Sequence, residues 1–82
     1  MRITYPLNKD RFVRNRSVPD DEIVLQARVT RPDSSVIWYV DGTQHARTGP
    51  PYRAQWKLER GNHRIAVVCQ DNIGDEVQVS VE

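Results

Sequence analysis

The groups in this chain able to do acid, base, nucleophilic or ligand chemistry are few. They are His45, His63, Cys69, the serines Ser17, Ser34, Ser35 and Ser80, and the acidic run Asp20-Asp21-Glu22. Catalysis needs several such groups to converge, with proton affinities tuned to the task. His63 and Cys69 have matching parity in an extended strand, yet positions six apart are about 20 Å from each other, too far for joint metal ligation. His45 reads as an exposed hairpin residue, and His63 as a turn-capping or edge residue at the start of a strand. Cys69 alternates with apolar neighbours, the setting of a buried and unreactive thiol. No Ser-x-x-Lys, Lys-Thr-Gly, Gly-x-Ser-x-Gly or phosphate-loop pattern occurs. Three sequential carboxylates mark a solvated loop, whereas a glycosidase pair needs carboxylates held across a cleft. These residues predict no catalytic centre, metal site or cofactor.

Binding chemistry is better represented. Trp38 and Trp56 are the largest apolar groups, and parity sends both inward. Tyr39 and Tyr52 are expected to face outward or lie in loops, where an aromatic ring can stack on a sugar or a partner. Arg11, Arg14 and Arg16, with Lys9, form the densest basic stretch. Such a run usually keeps a sheet edge solvated, and it can also meet an anionic polymer or acidic surface.

The elements that must position these groups are strands. Val77, Val79 and Val81 alternate with Gln78 and Ser80. Ile23, Leu25, Ala27 and Val29 share one face of 23–29, and Ala54, Trp56 and Leu58 share one face of 54–58. Ile65, Val67 and Cys69 do the same, with Ala66 and Val68 making the opposite face apolar, as in a central strand. Residues 36–40 are all apolar or aromatic, with the β-branched enrichment of a strand. A short first strand runs from Ile3 to Tyr5 before Pro6, and 11–14 adds a second edge piece. Asp41-Gly42 marks a tight hairpin; Arg60-Gly61-Asn62, Gly49-Pro50-Pro51, residues 31–35 and 71–75 supply further turns. No helical period appears. The expected fold is an all-β, antiparallel, immunoglobulin-like or fibronectin III-like sandwich of six to seven strands.

Length and charge narrow the function. The chain has 82 residues, enough for one domain over 1–82. Twelve basic and 11 acidic residues leave a formal net charge of +1, which argues against nucleic acid as a partner. No run approaches the length of a membrane span. A single cysteine excludes an internal disulfide, including the bridge that joins the B and F strands of antibody domains. Met1 leads straight into a strand without a signal-peptide pattern, so the segment reads as one module of a longer chain.

The run Val36-Ile37-Trp38-Tyr39-Val40-Asp41-Gly42, then Pro51-Tyr52, then Trp56-Lys57-Leu58-Glu59-Arg60-Gly61-Asn62-His63-Arg64-Ile65-Ala66-Val67 resembles one family. It is the C-terminal accessory domain of bifunctional class A penicillin-binding proteins of the 1C type. The opening Ile3-Thr4-Tyr5-Pro6-Leu7-Asn8 resembles that family's entry strand, with Lys9 where Gly is usual. The resemblance covers nearly the whole chain. It implies a non-catalytic module of a peptidoglycan synthase whose glycosyltransferase and transpeptidase domains lie upstream. The parent is then anchored in the inner membrane and the module is periplasmic. The partners implied are other domains of the parent or a periplasmic protein. Bacterial immunoglobulin-like modules of adhesins and polysaccharide-degrading enzymes share several of these motifs. The alternatives therefore stay open: a carbohydrate- or peptidoglycan-binding module using Tyr39, Tyr52 and nearby arginines, or a spacer.

Overall fold

The structure, a computed structural model, describes residues 2–13, 21–29, 35–69 and 72–82, with backbone alone at 72 and 73. Among the described residues there are eight strands: β1 (Arg2–Tyr5), β2 (Asp10–Phe12), β3 (Glu22–Arg28), β4 (Val36–Val40), β5 (Thr43–Thr48), β6 (Arg53–Lys57), β7 (Gly61–Cys69) and β8 (Asn72–Val81). They form a three-stranded sheet in the order β1-β3-β6 and a five-stranded sheet in the order β2-β8-β7-β4-β5. The expected sandwich is present. The eighth strand arises because β5, a polar Thr-Gln-His-Ala-Arg-Thr segment without the alternation of a half-buried strand, pairs along β4.

One pairing departs from the antiparallel expectation. β2 lies parallel to β8, with Asp10 opposite Val79 and Phe12 opposite Val81. The chain crosses from β1 in one sheet to β2 in the other, so β2 arrives running in the direction of β8. Lys9 makes that crossing with φ 69, in the left-handed region. Its N–H donates to the Gln78 carbonyl (2.6 Å), and the Asn8 carboxamide oxygen accepts from the Gln78 N–H (2.9 Å). The Tyr5-Pro6 and Pro50-Pro51 peptide bonds are cis.

Period-two alternation places the core. Leu25, Val36, Trp38, Ile65 and Val67 are fully buried, and Trp56, Val77, Val79 and Val81 nearly so. Trp38 comes from the larger sheet and Trp56 from the smaller, as parity predicts. The Trp38 indole N–H donates to Thr48 Oγ1 (3.1 Å), so burying this aromatic leaves no orphaned donor. Side chains close both seams between the sheets. On one side His45 Nε2 lies 2.6 Å from the Gln55 carbonyl oxygen. On the other, the Ile3 N–H donates to Asp75 Oδ2 (2.9 Å).

Tyr52 corrects the expectation of an outward ring. It is only 5% exposed and belongs to the core. The buried positions 52, 54, 56 and 58 alternate with exposed 51, 53, 55, 57 and 59. The inward face of β6 therefore begins before the strand's first ladder pair. Tyr52 takes φ 60, and its carbonyl accepts from the Ala27 N–H (3.2 Å), which ties this turn to β3.

Candidate functional site

β7 is central in its sheet, between β8 and β4. A two-layer sandwich covers only one face of such a strand. The opposite face of β7 carries Arg64, Ala66 and Val68, which are half-buried or exposed. Ala66 stands opposite Tyr39 of β4 and Glu76 of β8; Arg64 stands opposite Gln78. These residues line an open groove of about 720 Å³ on the outer face of the larger sheet. Tyr39 supplies an aromatic wall and Ala66 with Val68 an apolar floor. The Arg64–Glu76 ion pair (Nε to Oε1, 3.2 Å) crosses the groove. A smaller depression of about 350 Å³ continues it past Asn62 and Gln78 to Lys9 and Arg11.

One end of the groove is braced by a charged pair. Asp41 and Gly42 form the two-residue β4–β5 turn with φ 53 and 80, both positive, as a type I′ hairpin requires. A short polar side chain tolerates that backbone. The same turn brings the Asp41 carboxylate to the start of β7. Oδ2 lies 2.7 Å from His63 Nδ1, Oδ1 accepts from the Arg64 N–H (2.9 Å), and the Asp41 N–H donates to the Arg64 carbonyl (2.8 Å). His63 Nε2 lies 2.8 Å from the Glu59 carbonyl oxygen, and its ring stands edge-on to Trp56 at 5.1 Å. Both ring nitrogens face acceptors, an arrangement that suits the doubly protonated imidazolium.

Electrostatics agree with that geometry. Burial opposes a charge on His63, but the Asp41 carboxylate and the Glu59 carbonyl outweigh it and hold the ring's pKa above its ordinary 6.5. Burial likewise acts to raise the pKa of Asp41. The bonds from His63 and from the Arg64 N–H overcome it and hold that pKa below 3.8. His63 is thus interior (9% exposed) and not an edge residue, while its bond to the Glu59 carbonyl closes the turn before β7 in the capping manner expected from its position. Its parity with Ile65 and Val67 was the available signal. With both nitrogens bound inside the protein, it offers no free lone pair to a substrate or metal. Among the described residues no group of three or more His, Cys, Asp or Glu is placed to hold a metal ion.

The other anticipated contact residues separate. Tyr39 lies in the groove. Arg11 is exposed on β2 and pairs with Glu82 (3.1 Å). Arg14 and Arg16 lie outside the described residues, and Tyr52 is interior. Cys69 is free and half-buried at the end of β7. Sequence reasoning missed Asn62, Glu76 and Gln78, whose outward parity was the only sign.

The model of the Penicillin-Binding Protein C-terminus Family matches residues 1–81. The chain belongs to that family. Among solved structures, the fold of this penicillin-binding protein C-terminal domain is shared with the fibronectin(III)-like modules of Clostridium thermocellum CbhA. That match has a TM-score of 0.71 and 23% identity, over 98% of this chain and 91% of that one. It places the sandwich in the fibronectin III-like class. No curated protein sequence matches the chain significantly.

Proposed function

We propose that this penicillin-binding protein C-terminal domain is a non-catalytic accessory module of a bifunctional peptidoglycan synthase. It acts outside the cytoplasm, in the periplasm, on a parent held in the inner membrane. Its role is contact with other domains of the parent or with a periplasmic protein. Membership of the family supports the setting, and the engaged nitrogens of His63 argue against general-base chemistry at the groove.

One observation carries the contact role. Among the described residues the exposed large apolar side chains are Tyr5 (37%), Leu7 (58%), Val13 (76%) and Val24 (37%). Tyr5 and Leu7 lie at the β1–β2 crossing and Val13 directly follows β2, whose Phe12 packs edge-on against Tyr5 at 6.2 Å. Clustered exposed apolar groups are what a protein partner covers.

A photocrosslinking residue at position 7 of the full-length synthase tests this. It should yield a specific adduct, within the chain or to one partner. The same probe at position 45, on the far edge strand β5, should not. Equal adducts at both positions, or none at 7, would sink the assignment.

A further inference from the structure

We propose that the outer-face groove is a binding site for an uncharged oligosaccharide, with Tyr39 as its stacking wall. The seam at Tyr5 and Leu7 is a different surface. On β2, Arg11 lines the groove depression, while Phe12 packs on the core and on Tyr5. The two sites can therefore fail or succeed separately.

The backbone decides first against a peptide. An extended peptide that joins a sheet does so at an edge, through main-chain hydrogen bonds. Here the groove lies on the face formed by β2, β8, β7 and β4, whose backbones are paired with one another. Even the backbone of Gln78 is engaged, by Asn8 and Lys9. Recognition must come from side chains.

The charges decide next. His63 with Asp41, Arg64 with Glu76, and Arg11 with Glu82 are each matched. Lys9 and Asp10, neighbours of opposite sign, are the charges of the lining without an ion-pair partner among the described residues. A lining so compensated does not select an ionic ligand. It presents fixed donors and acceptors to a polar, neutral one.

The remaining groups fit sugar hydroxyls and a sugar's apolar face. Tyr39 lines the groove beside its ladder partner Ala66 and Val68, giving an aromatic and apolar surface for C–H groups. The side-chain amides of Asn62 and Gln78 make no hydrogen bond among the described residues, and each offers donors and an acceptor. The groove crosses three inter-strand spacings from β2 to β4, about 14 Å, the scale of a short oligosaccharide. It is open to solvent, so affinity is weak, in the millimolar range.

The test is an amide-resolved NMR titration with tetra-N-acetylchitotetraose, cellotetraose and, as the peptide arm, tetraglycine amide. At millimolar saccharide, shifts should move at Tyr39, Asn62, Arg64, Ala66 and Gln78 and stay still at Leu7. Tyr39→Ala should weaken binding about tenfold, and Gln78→Ala should weaken it while leaving the spectrum folded. The proposal is overturned if no saccharide produces localised shifts, if Tyr39→Ala binds as wild type, or if the peptide perturbs the groove more strongly than either sugar.

Discussion

Replacing Asp41 with Asn separates the charge of the His63 clamp from its shape. Asn keeps a side chain that tolerates the positive φ of the turn and still offers an oxygen to the Arg64 N–H. What is lost is the carboxylate facing the imidazolium at 2.7 Å. Hydrogen bonds to charged groups contribute about 1.5–3 kcal/mol. The Asp41 side chain is 50% exposed, although that of His63 is only 8% exposed. Solvent screening on the Asp41 side therefore reduces the expected loss to about 1–2 kcal/mol. The loss depends on pH with a definite sign. His63 has a folded pKa raised above 6.5, so its contribution is complete below pH 6.5 and disappears as pH rises through the folded value. Asp41 has a folded pKa lowered below 3.8, so its contribution is present above pH 3.8 and disappears as pH falls through the folded value. The pair therefore stabilises most between those two ordinary values. Urea unfolding followed by tryptophan fluorescence should show Asp41→Asn reducing the midpoint by about 1 M at pH 5.5, given a slope of about 1–2 kcal/mol per molar. Once the pH exceeds the folded His63 pKa, as read from the ring's own titration, the deficit should shrink to a few tenths of a kcal/mol, because His63 is then neutral in both states. An NMR titration of the His63 ring gives an independent reading. A deficit equal at pH 5.5 and above the folded His63 pKa, or a His63 midpoint at or below 6.5, would refute the reasoning.

Two further substitutions examine the backbone and the core. Lys9→Gly removes a side chain from a left-handed position at φ 69. Relief of about 1–2 kcal/mol, offset by about 0.4–1 kcal/mol of added freedom in the unfolded chain, should raise stability by roughly 0.5 kcal/mol in urea titrations. A lowered midpoint would show that Lys9 contributes more than strain. Tyr52→Ala should cost about 3–5 kcal/mol, comparable to the whole stability of so small a domain, and melt it in circular dichroism. Tyr39→Ala should remain folded, within about 1 kcal/mol of wild type.

Legibility in the sequence followed sequence distance. Trp38 and Trp56 face inward from opposite sheets because alternation is a property of each strand by itself. The Asp41-Gly42 hairpin was equally local, two residues whose chemistry fits positive φ. Tyr52 was misread because the Gly49-Pro50-Pro51 break outweighed a parity already legible in Ala54, Trp56 and Leu58. The parallel β2–β8 pair could not be read at all. It joins three residues near one end of the sequence to three near the other, and nothing in Asp10-Arg11-Phe12 specifies which strand they meet. His63 shows both sides. Its inward direction was available from Ile65 and Val67, but its partner Asp41, 22 residues away, was not.

What the sequence by itself determined is the fold class, the two core tryptophans and the scarcity of catalytic groups. Each follows from residue type and period-two spacing, which act within a strand. Only the tertiary structure decided the site. Strand order set Tyr39, Ala66 and Glu76 side by side, joined Asp41 to His63 and, among the described residues, left one face of β7 without a covering layer. Those relations depend on which strands become neighbours. That choice is made by the shared burial of the core from both sheets, not by any one segment.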